Sequence, residues 1–185
     1  MKHDPVHQPG AHSRRQWLTG TAAALAGSLA SGSWGQPAPT VEDKAPPAPK
    51  LGMPFDIPDV PLLDGRVFRP SEATGQVLVV YWWASWCPFC AQQSPLMEKL
   101  WLAQRGHGLR MLGLSIDRKV EDATGYMSKH GFTFPSGLLT PAVARTLPKP
   151  KGLPVTVVRG RDGRVVASEV GQLFPEDIEQ LARFL

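Results

Sequence analysis

"WASWCPFCAQQSP", residues 83–95, holds both cysteines of this 185-residue chain, at C-x-x-C spacing. Such a pair can be half of a metal site, a structural staple or a working redox couple. A closed zinc site needs four ligands, of which one C-x-x-C supplies two. Beyond residue 35 only His107 and His130 could add to it, and they stand in separate segments without ligand spacing. A disulfide between residues so close closes too short a loop to stabilise a fold much. The redox reading accounts for more residues. A helix starting after Cys87 places that sulfur at the positive end of the helix macrodipole, where free backbone N–H groups favour a thiolate. Pro88 suits the first helical turn, where its missing N–H is not needed. Cys87 is therefore the candidate nucleophile. Cys90, one turn further in and covered by the helix, is the candidate resolving cysteine. Trp86 is either a flat apolar wall for a docking peptide or an ordinary core side chain.

Upstream, QVLVVYWWA (76–84) is a continuous apolar run, as expected of a strand buried on both faces. Residues 88–104 predict a helix with Leu96, Leu100 and Ala103 on one face and Pro95 interrupting it one turn in. LRMLGLSID (109–117) reads as a second buried strand, KVEDATGYMSKH (119–130) as an amphipathic helix and TPAVARTL (140–147) as a short one. PVTVVRGRDGRVVASEV (154–170) reads as a hairpin turning at Asp162-Gly163, and PEDIEQLARFL (175–185) as a closing helix. FDIPDVPLLDGRVF (55–68) carries a further hairpin signal at Asp64-Gly65. This order predicts an α/β fold with a mixed sheet flanked by helices on both faces. In such sheets chemistry gathers beyond the carboxyl ends of the central strands, where Cys87 falls.

The first 35 residues have the anatomy of an export signal: Arg14-Arg15, a mildly apolar run from Leu18 to Ala30, then small residues. Low hydrophobicity after Ser13-Arg14-Arg15-x-Trp17-Leu18 resembles a twin-arginine signal. Cleavage is expected after Gly35, with retention as a membrane anchor the alternative, and the compartment is expected to be the periplasm. Residues 36–50 form a proline-rich linker, expected to be a semi-rigid spacer that joins no core, and residues 51–185 the folded domain. Without the leader the net charge is +2, and no Lys/Arg tract stands out, which argues against nucleic acid as a partner.

WASWCPFC, with Pro95 five residues after Cys90, resembles the thioredoxin superfamily, and GLPVT (152–156) resembles its cis-proline loop, with Pro154 as the cis residue. Cys87 and Pro154 lie 67 positions apart, more than plain thioredoxin needs. The surplus, KHGFTFPSGLLTPAVARTL (129–147), is similar to the extra strand and helix of the exported TlpA/ResA/DsbE-like family, as the N-terminal hairpin is to its entry segment. The resemblance implies a thioredoxin-like fold with a central strand-helix insert. It implies catalysis by Cys87 and Cys90, and substrate contacts from Trp86, Pro88, Phe89, Leu153 and Pro154, the last offering backbone groups to an extended segment.

What the resemblance implies for function is an exported thiol-disulfide oxidoreductase, foremost a reductase of a protein disulfide in cytochrome c maturation or copper-centre assembly. Its cofactor is its own Cys87-Cys90 disulfide, no metal is needed, a membrane thiol carrier donates electrons, and the protein is monomeric. A net oxidase or isomerase, or a Cu(I)-binding chaperone, are the alternatives. The chain departs from the family at two positions where an acid is usual, three residues after the second cysteine and, in thioredoxin proper, six before the first. Here they are Gln93 and Tyr81. Glu98, two turns past Cys90, is expected on a solvated helix face.

Overall fold

The structure, a computed structural model, describes residues 44–185. The proposed leader and the first part of the linker lie outside the described residues. Among the described residues seven strands and four α-helices follow one another, with short 3-10 turns besides: β1 (Val60–Pro61), β2 (Val67–Phe68), β3 (Val77–Trp83), α1 (Pro88–Gln104), β4 (Leu109–Ser115), α2 (Val120–His130), β5 (Ser136–Leu138), α3 (Pro141–Ala144), β6 (Val155–Arg159), β7 (Val165–Val170) and α4 (Pro175–Gln180). β1 and β2 form the small antiparallel hairpin expected at Asp64-Gly65. The other five strands make one mixed sheet in the order β5-β4-β3-β6-β7, parallel at β5-β4-β3 and antiparallel at β3-β6-β7.

β3 sits in the middle, and all its residues are buried, as the unbroken apolar run requires. Its side chains alternate between two cores. Val77, Val79, Tyr81 and Trp83 join the cluster that includes α1, α2 and α4, whereas Leu78, Val80 and Trp82 join the one formed with the N-terminal hairpin and α3. The successive parallel crossovers β3-α1-β4 and β4-α2-β5 put α1 and α2 on one face, as a uniform crossover hand dictates. Gly113 in β4 is needed where these layers meet. A Cβ there would stand 2.7 Å from Ser136 Oγ, the acceptor of the Trp83 indole N–H at 3.0 Å.

Helix α1 differs from expectation in three ways. It runs through Pro95 without interruption. The proline removes the N–H that would bond the Ala91 carbonyl, and Ala91 is exposed, so water can take that bond. Its buried face is Cys90, Gln93, Ser94, Met97, Glu98 and Leu100, while Ala103 is exposed. Glu98 is buried, not solvated. Its carboxylate accepts from the backbone N–H of Thr133 (2.8 Å) and of Phe134 (3.0 Å) and from the Thr133 hydroxyl. A carboxylate that takes over the bonds of two backbone amides is tolerated inside because its desolvation is compensated. It fastens α1 to the segment leading into β5.

The described end of the linker also departs from a free spacer. The Pro46 carbonyl accepts from the Lys151 N–H at 2.9 Å, and Pro46, Pro47 and Pro49 close a cavity of about 270 Å³ with Phe55, Trp82 and Leu147. Proline loses little entropy on docking and presents an apolar ring to this aromatic floor. Next along the chain, Gly52 and Met53 exchange backbone hydrogen bonds with Val165, covering the start of the β7 edge.

Replacing Glu98 by Ala strands two backbone donors and is expected to lower unfolding stability by about 3 kcal/mol. Urea titration should show a lower midpoint with an unchanged slope.

Candidate active site

The sheet register decides which loops meet. Trp83, at the end of β3, pairs with Ser115 at the end of β4, and Trp82 pairs with Val155 at the start of β6. Three segments therefore converge at one end of the sheet: Ala84–Cys87, Ile116–Lys119 and Gly152–Pro154. A fourth, Gly171–Leu173, follows β7, whose Val170 pairs with Val155.

Cys87 is the N-cap of α1, and its sulfur accepts the Cys90 backbone N–H at 3.1 Å. A donor aimed at that sulfur from the first turn of a helix is the arrangement that stabilises a thiolate. Cys87 and Cys90 are joined as a disulfide with Cα atoms 5.2 Å apart, inside the usual range for such a bond. Cys90 is wholly buried, and 4% of Cys87 is exposed. Of the two, only Cys87 touches the surface.

The other expected contact residues divide by exposure. Trp86 is 66% and Phe89 55% exposed, so Trp86 is a surface wall and not a core side chain. Pro88 is exposed beside them. Leu153 is half-buried and Pro154 buried, and the peptide between them is cis. The Pro154 carbonyl accepts from the Gly171 N–H at 2.8 Å, so one of its two lone pairs is engaged within the protein. Val170 and Phe174, both exposed, extend the apolar rim on that side. His130 packs among Tyr126 and Phe132, away from the pair. Among the described residues no three potential metal ligands cluster.

Gln93 and Tyr81, at the two positions where an acid is usual, are buried and occupied. Gln93 donates to Thr156 Oγ1 (2.9 Å) and accepts from the Leu173 N–H (2.7 Å), tying α1 to β6 and to the approach of α4. The Tyr81 hydroxyl donates to the Cys90 carbonyl (3.4 Å) and shares a hydrogen bond with Ser94 (3.1 Å). Burial holds the Tyr81 pKa far above the ordinary tyrosine range, the Ser94 bond opposing this and Tyr126 adding a smaller upward push. Tyr81 is therefore a neutral phenol at physiological pH and cannot act as the resting base for Cys90.

Ser85 and Asp117, neither singled out by the sequence pattern, meet beside Cys87. Asp117, buried just beyond β4, accepts from the Ser85 N–H (3.0 Å), the Ser85 hydroxyl (2.8 Å) and the Ser115 hydroxyl (2.7 Å). An acid directly after a buried apolar strand was the available signal, since that strand ends at the same edge as Cys87.

The sequence pattern of the AhpC/TSA family matches residues 41–167. The thiol-disulfide oxidoreductase ResA of Geobacillus thermodenitrificans is 25% identical over 118 residues, 64% of this chain and 68% of that protein. The thiol:disulfide interchange protein DsbE of Allochromatium vinosum is 26% identical over 150 residues, 78% of this chain and 77% of that one. A thiol:disulfide interchange protein of the thioredoxin family from Chlorobium tepidum superposes with a TM-score of 0.66 at 22% identity, covering 71% of this chain and 94% of its own, so the fold is thioredoxin-like.

A folded-state pKa raised at Tyr81 contributes stability that is complete below the unfolded value, about 10, and is lost as pH rises through the folded one. Denaturant midpoints measured from neutral to alkaline pH should fall above about pH 10 in the natural protein. Tyr81→Phe should start lower by about 1 kcal/mol, because Ser94 loses a partner, and then fall less.

Proposed function

The chain belongs to the AhpC/TSA family, and on that footing we propose that it is an exported thiol-disulfide oxidoreductase whose task is to reduce one disulfide of a partner protein. The observation that carries this reading is the N-cap cysteine: Cys87 touches the surface and receives a backbone N–H, with Cys90 buried within disulfide reach behind it.

In the reduced enzyme the Cys87 thiolate attacks one sulfur of the partner disulfide, forming a mixed disulfide and expelling the other partner sulfur as thiolate, which takes up a proton. Cys90 then loses its proton and attacks Cys87, closing the Cys87-Cys90 disulfide and releasing the second partner thiol. Two electrons pass from the enzyme to the partner, and a membrane dithiol carrier restores the reduced pair. With Tyr81 neutral and Gln93 an amide, water reaching the pair takes the Cys90 proton.

The rim supports a protein as substrate. Trp86, Phe89, Val170 and Phe174 are large, apolar and exposed, a surface that suits a peptide segment better than a small charged thiol. With the Pro154 carbonyl already bonded to Gly171, an extended segment would pair with the amide and carbonyl of Leu153. An apocytochrome haem-binding pair or a copper-centre assembly protein would present such a segment, in the periplasm, to a monomeric enzyme held by its proline-rich linker.

The first test is the equilibrium of the pair with glutathione, followed by Trp86 fluorescence. A reductase should have a potential near that of thioredoxin, about −270 mV, whereas a value near −120 mV would make the protein a disulfide donor. Cys87→Ser should abolish exchange, and Cys90→Ser should accumulate the mixed disulfide, visible as a mass shift that dithiothreitol reverses.

A further inference from the structure

Asp117 takes no part in electron transfer, yet among the described residues it is the one carboxylate seen bonded to the loop that carries the candidate nucleophile. Its two oxygens receive the Ser85 N–H at 3.3 and 3.0 Å, the Ser85 hydroxyl at 2.8 Å and the Ser115 hydroxyl at 2.7 Å. Its own N–H donates to Ser115 Oγ at 3.1 Å, so the carboxylate is held by the end of β4 on one side and holds Ser85 on the other. Asp117 is 8% exposed, whereas Ser85 is half-buried. Ser85 immediately precedes Trp86, the most exposed aromatic of the rim, and stands two residues before Cys87.

A loop of four residues between a strand and a helix has few internal bonds to define it. Besides the Asp117 contacts, the backbone bond from Cys87 N–H to the Ala84 carbonyl (3.2 Å) spans it. A buried carboxylate that accepts several N–H and O–H donors is a strong, directional anchor, because charge-assisted bonds are about twice as strong as neutral ones. We propose that Asp117 is a positioning residue for disulfide exchange: through Ser85 it sets the direction of Trp86 against an incoming segment and of the Cys87 sulfur against the Cys90 N–H. This rests on the oxidoreductase reading for its consequence in turnover, but the placement of the loop can be read without any partner.

Two variants separate the roles. Asp117→Asn keeps the size but puts an NH2 group where donors converge, and Ser85→Ala removes one of the donors while leaving Asp117 bound to Ser115. Three properties are measured in the reduced proteins: the rate of Cys87 alkylation by iodoacetamide, Trp86 emission taken as the difference from the Trp86→Phe protein because the chain has six tryptophans, and exchange with a protein disulfide, with thermal stability recorded alongside. Asp117→Asn should shift Trp86 emission, change the alkylation rate and slow exchange by about tenfold, the equivalent of one charge-assisted hydrogen bond. Ser85→Ala should move the same readouts less, Ser85→Thr should restore them, and the double variant should be no slower than Asp117→Asn, since residues acting through one another are not additive. An Asp117→Asn protein that loses stability yet keeps natural alkylation and emission would overturn the proposal, as would fully additive losses in the double variant. Failure of the oxidoreductase reading looks different: the natural protein itself would not exchange disulfides, while its alkylation and emission would still respond to Asp117.

Discussion

The pairing of β3 with β4 on one side and β6 on the other is the constraint on which the site depends. A strand buried on both faces can be satisfied only by neighbours on both edges, and the register of those neighbours leaves no freedom about what lies beyond its end. Trp83 opposite Ser115 and Trp82 opposite Val155 bring the cysteine loop, Asp117 and the Leu153–Pro154 peptide together. The chemistry is then a consequence of chain direction. β3 delivers Cys87 into the first turn of α1, and antiparallel β6 begins where β3 stops.

The helix that follows is unusual in what it buries. Instead of an apolar stripe, α1 turns Gln93, Ser94 and Glu98 inward together with Cys90, Met97 and Leu100. Each of the three polar side chains has partners on another element: Gln93 on Thr156 and Leu173, Ser94 on Tyr81, Glu98 on Thr133 and Phe134. Directional bonds of this kind specify the placement of a helix more narrowly than apolar contact does. They also leave the space behind Cys90 without a carboxylate at the two positions where one is usual, an amide and a phenol standing there instead.

Edges and ends are managed by the N-terminal region. Leu63 donates to the Ser136 carbonyl at the β5 edge, and Gly52 and Met53 bond to Val165 at the other. Both outer strands are thereby partly covered, which limits edge-to-edge association. The proline segment adds a contact to the loop that leads into Leu153–Pro154, its Pro46 carbonyl accepting from the Lys151 N–H.

Much of this was legible in the chain itself. The apolar run 76–84 and the placement of Cys87 and Cys90 after it determined the central strand, the helix start and which of the two sulfurs lies nearer the surface, because strand burial and the first turn of a helix are local consequences of residue type. The polar contacts were not legible. Glu98 reads as a surface acid, Ala103 as a core residue and Asp117 as the last residue of a buried strand, since periodicity reports hydrophobicity and cannot report which backbone amides wait on the far side of a packed interface. Trp86 shows the same limit from the other direction: an aromatic beside a buried strand is as consistent with the core as with the surface. Local sequence determined which elements form and where the thiols stand; only the tertiary structure decided which buried polar groups find partners, because those bonds join residues far apart along the chain whose meeting depends on the sheet register.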